Sequence, residues 1–251
     1  MINMTATLST RYSFTAQFLR GGTIFARRAH EIEASTLPSV SEELQSEHIA
    51  CVVGAVTQSA AALEAEISEV LNHGPGHHLG SSGVSATARD FLLPLADTID
   101  GESTLRRYDL VLHLLRKPAF DRGAHPYQVA NLLVRLRNEL IHYKSKWGEQ
   151  MDGEKVFSRL ERLGLDKPAF VSAHTNFFPH RCLSASLASW SVTTGIAFVN
   201  AFYQHLAIVS PLIAHAQNLT VPPPRYSNPG QPLSHEPSTG SPAGTGQKDL
   251  P

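Results

Sequence analysis

The chain has 251 residues, a hydrophobic share of 42% and a formal net charge of −1. A chain of this length can form the core of one large domain or two small ones. Because its net charge is close to zero, the protein as a whole does not attract nucleic acid electrostatically over long range. Its only two cysteines, Cys51 and Cys182, exclude a disulfide framework, and neither belongs to a metal-type cluster. We expect both thiols to be buried and reduced.

Apolar residues recur at helical spacing along most of the chain, whereas strand signals are weak. The first helix carries a Gly21-Gly22 pair that weakens its middle, and Ser39 or Ser41 can cap the alanine-rich second helix, which ends at Gly74. The predicted helices span residues 12–33, 39–72, 90–99, 104–115, 127–147 and 156–163, and one or two further helices within 182–216 break near Pro211.

These elements predict an all-α helical bundle in a single domain, residues 1–218, with a core of about 12–150 and a C-terminal helical extension over 151–218. Residues 219–251 are rich in Pro, Gly and Ser and are predicted to be a disordered tail. The N-terminus shows no secretory signal peptide, and polar residues interrupt the most apolar late segment, residues 195–214. We therefore expect a cytoplasmic protein with no membrane contact.

The predicted helix over residues 127–147 carries a set of groups that suits cleavage of a phosphodiester. Arg137 and Asn138 precede His142 by little more than one helical turn, which combines a fixed cation, an amide and an imidazole that titrates near neutral pH. Such groups can bind phosphate, orient a partner and move protons without a metal. Residues 101–164 hold twelve Lys/Arg and eight Asp/Glu, a balance of +4 that mildly favours an anionic ligand.

A helical projection divides these groups between two directions. Asn138, His142 and Arg135 share one polar stripe, so Asn138 and His142 can touch as i,i+4 neighbours. Arg137 lies away from that stripe, beside the apolar face. Its side chain could curl round, a second subunit could approach from its side, or it could pair with a carboxylate such as Glu64 of the second helix. In that last case Arg135 would be the cation that faces phosphate.

Arg-Asn-x-x-x-His on a late helix of an all-α bundle resembles the signature of the HEPN superfamily. Other segments resemble that family too, over roughly residues 12–215: Leu63-Glu64-Ala65, Phe120-Asp121-Arg122-Gly123, Pro126-Tyr127-Gln128, Tyr143 and Trp147 after the histidine, and Phe177-Phe178-Pro179 with Trp190. The resemblance implies an HEPN-like up-and-down bundle with extra C-terminal helices. Many catalytic HEPN proteins are metal-independent endoribonucleases that act as homodimers, often as toxins or effectors of antiviral defence, and need no cofactor.

The resemblance also implies roles for individual residues. His142 would act as general base or acid while the ribose 2′-hydroxyl attacks the adjacent phosphate, Arg137 would stabilise the added negative charge, and Asn138 would fix the imidazole or bind phosphate. The product would carry a 2′,3′-cyclic phosphate. Residues that could contact RNA around them are Arg135, Tyr143, Lys144 and Lys146. Glu64 is expected to be structural.

Two alternatives stay open on the sequence alone. The same helix could serve a non-catalytic HEPN-like dimerisation or interaction module, or a nucleotide-binding module, and an antitoxin could be a partner in place of RNA or beside it. The histidines His73, His77 and His78 lie in a glycine-rich loop over residues 73–88 without a nearby Cys or carboxylate, so we expect a loop there and no metal site.

Overall fold

The computed structural model of the chain describes residues 13–35, 40–76, 86–143 and 155–227. Apart from one isolated antiparallel bridge between Leu165 and Tyr226, all regular structure in these ranges is helical, which confirms the predicted all-α class. The α-helices are α1 (Phe14–Ser35), α2 (Glu42–His73), α3 (Ala86–Leu92), α4 (Ala96–Asp100), α5 (Thr104–Leu114), α6 (Tyr127–Ile141), α7 (Lys155–Arg162) and α8 (Ala185–Leu206). Tighter or wider helical turns occur at Leu93–Leu95, Phe177–Arg181 and Pro211–Leu219.

Three long helices form the centre of the bundle. α1 packs closely along α2, and α8 packs against both. Small residues permit this close approach, because a Cβ atom added at Gly22 would lie 3.2 Å from Ser59 Oγ, and one at Gly195 would lie 3.2 Å from Leu19 Cδ2. The glycine pair that was expected to weaken α1 therefore lies within a continuous helix, and Gly22 has a packing role.

The ends of α2 and α8 follow the capping rules. The Ser41 hydroxyl accepts a hydrogen bond from the Leu44 N–H at 3.3 Å, and Glu42 and Glu43 occupy the first turn, where acidic groups stabilise the helix dipole. Gly74 ends α2 with a φ of 81°, a value that favours glycine. Ser184 caps α8 by accepting from the Leu187 N–H at 3.2 Å.

α2 is the one helix of the described ranges that is long and apolar enough to cross a membrane, with a mean hydropathy of 1.2 in its most apolar window. Half of that window is buried inside the protein. Since α2 contacts α1, α6 and α8 at the centre of the bundle, packing accounts for its apolar character. Both cysteines are free and buried, as predicted, and burial raises the pKa of the Cys182 thiol well above its ordinary value.

The C-terminal boundary differs from the prediction, which placed the start of the disordered tail at residue 219. Leu219 is buried, and the Thr220 carbonyl accepts two hydrogen bonds from the Arg27 guanidinium, at 2.9 and 2.6 Å. The Arg225 N–H donates to the Ser186 Oγ at 3.1 Å. Residues 219–227 therefore lie against the bundle, and the prediction was wrong for them because their order comes from backbone hydrogen bonds that composition does not encode. Residues 228–251 lie outside the described ranges.

Glu33 joins this C-terminal segment to the helix core. One of its carboxylate oxygens, Oε1, accepts from the Ala185 N–H at the start of α8, at 2.7 Å, and lies 3.0 Å from His48 Nε2. The other, Oε2, lies 3.7 Å from the Arg225 guanidinium. The carboxylate is buried, and these contacts with α2, α8 and the C-terminal segment compensate for its removal from water.

Candidate functional site

The helix that carries the motif is anchored by the segment that precedes it. Arg122 donates two hydrogen bonds to the Asp109 carboxylate of α5, at 3.0 and 2.7 Å, and the Tyr127 hydroxyl lies 3.4 Å from the same oxygen. Phe120 stacks on Phe198 of α8 with ring centroids 4.9 Å apart. These contacts fix the start of α6 against α5 and α8 and so determine which way its faces point.

The apolar face of α6 is the one that the helical projection indicates. Val129, Leu132, Leu133 and Leu136 are buried, and Leu140 is partly buried against the same core. α6 packs against α2 and α8 through this face. Because the periodicity fixes one side of the helix to the core, the polar stripe on the other side faces solvent.

Arg137 is held between two helices. Its Nη2 donates to Glu64 Oε2 of α2 at 3.2 Å, and its Nη1 donates to Asn138 Oδ1 at 3.0 Å. The second oxygen of Glu64 accepts from the Thr104 hydroxyl at the start of α5, at 3.2 Å. The side chain of Arg137 is 23% exposed, and its buried Nε has no hydrogen-bond partner among the described residues. The side chain thus combines two arrangements that the sequence left open: it pairs with Glu64, and it turns towards Asn138.

His142 lies one residue beyond the end of α6. Its N–H still donates to the Asn138 carbonyl at 2.9 Å, but its φ and ψ of −100° and 29° leave the helical region. The imidazole is exposed, and among residues 13–35, 40–76, 86–143 and 155–227 no hydrogen bond orients it. The structure therefore brings Arg137, Asn138 and Glu64 into contact, and no hydrogen bond within the described residues prevents the exposed His142 side chain from meeting a ligand or a second chain.

The predicted helix over residues 127–147 ends earlier than expected. α6 stops at Ile141, and Tyr143 is not helical. Ile141 and Tyr143 are 50% and 49% exposed, and the Tyr143 ring centroid lies 6.0 Å from that of Phe178. At the end of α6, the exposed side chains of Ile141 and Tyr143 therefore flank His142 along the chain, so apolar and polar groups are exposed side by side.

The remaining predicted residues divide between exposed and undescribed positions. Arg135 is exposed on the polar side of α6 and pairs with no acidic group in the described part of the chain. Lys144 and Lys146 lie outside the described residues, as do Trp147, His77 and His78. His73 is the last residue of α2, and the described residues contain no group of three or more His, Cys, Asp or Glu that could hold a metal ion.

Sequence reasoning missed Thr104 as a neighbour of the site. Its hydroxyl is buried at the first position of α5 and fixes the Glu64 oxygen that does not face Arg137. No spacing in the sequence relates residues that are 40 positions apart, so this contact depends on how α5 packs on α2. The available signal was weak, since a Ser103-Thr104 pair before an apolar helix indicates only a helix start.

Comparisons with known proteins identify no relative. No protein-family model matches the sequence, and neither the curated proteins nor the solved structures that were searched contain a match.

Proposed function

We propose that the chain is a metal-independent endoribonuclease of HEPN type that cleaves RNA at a composite site between two protomers. His142 moves protons during attack of a ribose 2′-hydroxyl on the adjacent phosphate, and Arg137 stabilises the charge that develops on the phosphorus oxygens. Asn138 positions the arginine and can contact phosphate. A role as a toxin or defence effector, with an antitoxin partner, belongs to the same proposal and rests on the family resemblance alone.

The exposure of His142 is the observation that carries this proposal. A general base must come within hydrogen-bond distance of the proton that it removes, so an imidazole buried in its own bundle would argue against catalysis. His142 is exposed at a helix end, one turn beyond Asn138, and five residues after Arg137.

The position of Arg137 supports a site with two chains. Its guanidinium is directed at Glu64 and Asn138 within its own protomer, and the helical rise separates the backbone positions of Arg137 and His142 by about 7.5 Å. A phosphate held by this arginine would meet the imidazole of a partner chain more readily than that of its own if two α6 ends lay together. Exposed Ile141 and Tyr143 supply apolar surface for such an association.

A second candidate is a non-catalytic interaction module that uses the same end of α6 as a dimer interface. The ion pair between Arg137 and Glu64 favours it, because an arginine already engaged by a carboxylate is also what a purely structural role requires. Both candidates require self-association, so oligomeric state does not separate them. The effect of a His142 substitution on RNA cleavage does separate the two candidates.

The deciding experiment incubates the purified protein with total RNA in EDTA and follows cleavage and the chemistry of the new ends. Wild type should produce 2′,3′-cyclic phosphate ends, and His142→Ala should reduce the rate about 10²- to 10⁴-fold, the usual contribution of a general acid or base. His113→Ala is the matched control, since His113 is an exposed histidine of α5 away from the motif. Equal cleavage by both variants, or the absence of cleavage by homogeneous wild-type protein, would refute the nuclease and leave the interaction module.

A further inference from the structure

The short helix α7 turns a row of positive charges towards solvent. Lys155, Arg159 and Arg162 recur at spacings of four and three residues, so they share one side of the helix, and all three are exposed. They lie within about 10 Å of one another along the helix axis and form the basic face of α7. The residues on the opposite side are apolar and buried against the bundle: Val156, Phe157 and Leu160.

No carboxylate pairs with the basic face within the part of the chain that the structure describes. Arg162 donates through Nε to the Ser158 carbonyl at 3.1 Å, a contact inside the helix that leaves its charge uncompensated. Glu161, the acidic residue of α7, pairs instead with the Arg181 guanidinium at 3.2 Å. The basic face therefore keeps three positive charges.

The stability of α7 does not account for all three charges. Arg159 and Arg162 lie in the last turn, where cations stabilise the helix dipole, but Lys155 occupies the first position, where a cation is unfavourable. Like charges three and four residues apart on a helix also repel each other. A polyanion bound to the basic face would relieve both unfavourable interactions.

Aromatic contacts place α7 beside the end of the motif helix. The Phe157 ring centroid lies 4.3 Å from that of Phe178. The Phe178 centroid in turn lies 6.0 Å from that of Tyr143, the residue that follows His142. Since α7 also packs against α6, an RNA strand bound at His142 can extend over α7.

The composition of the basic face favours the phosphate backbone of RNA over other anionic surfaces. Helices that bind membranes expose apolar residues beside their basic ones, whereas the apolar residues of α7 are buried in the bundle. Two of the three cations are arginines, whose guanidinium groups match the geometry of phosphate. The polar stripe of α6 is a weaker surface for a polyanion, because Glu139 offsets the charge of Arg135 four residues before it.

We propose that Lys155, Arg159 and Arg162 bind the phosphate backbone of a single-stranded RNA that extends from the cleavage site at the end of α6. The inference rests on the proposed ribonuclease function, since it identifies the surface that holds the substrate. Contacts to phosphate are independent of base sequence and weaken as the salt concentration rises. Three such contacts contribute about −2 to the slope of the logarithm of the affinity against the logarithm of the salt concentration.

The test measures binding of the full chain to a fluorescein-labelled oligouridylate of 2′-O-methyl nucleotides by fluorescence anisotropy. This oligonucleotide lacks the attacking 2′-hydroxyl and stays intact, so binding is measured apart from cleavage. A variant that combines Lys155→Gln, Arg159→Gln and Arg162→Gln should bind about tenfold or more weakly, and its salt slope should be smaller in magnitude by about 2. A wild-type slope smaller than about 2 in magnitude would exclude three phosphate contacts and overturn the proposal.

The matched control removes three exposed cations from α1, α3 and α5, in a variant that combines Arg20→Gln, Arg89→Gln and Arg106→Gln. It changes the net charge by the same amount and should bind clearly more tightly than the α7 variant. Equal weakening by the two variants, unchanged affinity in the α7 variant, or no binding by wild type would overturn the proposal. Binding to phosphatidylserine vesicles without binding to the oligonucleotide would assign the basic face to a membrane and would also overturn it.

Cleavage of unmodified RNA keeps this inference distinct from the proposed function. The α7 variant should raise the KM for RNA and leave kcat near the wild-type value, because the groups at the end of α6 are unchanged. If wild type binds the oligonucleotide through α7 but cleaves no RNA, the nuclease is refuted and the binding face stands. If the α7 variant cleaves RNA with an unchanged KM, the binding face is refuted and the nuclease stands.

Discussion

Replacement of Glu64 by alanine should destabilise the protein by a predictable amount, because this carboxylate joins three helices. It accepts from Thr104 of α5 at 3.2 Å and from Arg137 of α6 at 3.2 Å. A hydrogen bond contributes about 0.5–1.5 kcal/mol, and an ion pair whose side chains are 37% and 23% exposed contributes about 0.2–1 kcal/mol after solvent screening. Together these values predict a loss of about 0.7–2.5 kcal/mol in the free energy of unfolding.

Urea unfolding followed by circular dichroism measures that loss. With a slope near 3 kcal/mol per molar urea, the midpoint should fall by about 0.2–0.8 M. Glu161→Ala is the control, since Glu161 pairs with Arg181 at the same distance, 3.2 Å, while its side chain is 53% exposed. The control should lose less than about 1 kcal/mol. If Glu161→Ala lost more stability than Glu64→Ala, partial burial and the Thr104 hydrogen bond would not make Glu64 the more stabilising carboxylate.

A double-mutant cycle isolates the contact between Glu64 and Arg137. Glu64→Ala and Arg137→Ala should cost less together than the sum of their separate effects, because each single variant already breaks the shared ion pair. Exact additivity would show that the pair contributes nothing to stability, and the structural account of Arg137 would then fail. The same variants separate the two proposed functions, since the nuclease requires that Arg137→Ala also reduce cleavage.

Two glycine substitutions and a decrease in pH should each change the free energy of unfolding in a predictable direction. Gly21→Ala should raise the free energy of unfolding by about 0.5–1 kcal/mol through helix propensity, since its Cβ atom meets only the flexible end of Gln58, at 3.4 Å. Gly22→Ala should be less stable than Gly21→Ala, because its Cβ atom would lie 3.3 Å from Val192 Cγ2 and 3.4 Å from the Ala55 carbonyl; the opposite order in urea unfolding would contradict the packing of α1 on α2 and α8. Burial lowers the pKa of His30 below its ordinary value of 6.5, so the unfolded chain takes up a proton first as the pH falls. The free energy of unfolding should therefore decrease below about pH 6.5, and His30→Gln should show a smaller decrease between pH 7.5 and 5.5; an equal decrease would assign the effect to other groups.

Local rules account for the parts of the fold that the sequence predicts well. The apolar positions of α6 recur every three or four residues, and Val129, Leu132, Leu133 and Leu136 are all buried. The Ser41 cap follows from a residue preference, and the position of Pro211 at the start of its helical turn follows from the ring geometry of proline. Each of these features depends on neighbours within about one helical turn, which a sequence displays directly.

Features that depend on distant residues were not predictable in the same way. The sequence indicates that Gly22 weakens α1. In the structure, the absence of a side chain at Gly22 lets Ser59 of α2 and Val192 of α8 pack closely against α1. The end of α6 at Ile141 carries no glycine or proline signal, so the helix was predicted to continue. The Glu64 contact of Arg137 was one of several alternatives, because the projection of a single helix places Arg137 away from His142 without showing what lies opposite.

The offset between Arg137 and His142 has a direct test in mixed dimers. If one site takes Arg137 from one protomer and His142 from the other, then Arg137→Ala and His142→Ala protomers should complement each other when mixed. Equal mixing gives half heterodimers, each with one intact site of two, so about a quarter of wild-type cleavage should return. If both residues act within one chain, every site in the mixture has a defect and no activity returns. Because Glu64 and Asn138 hold the arginine within its own protomer, we expect complementation.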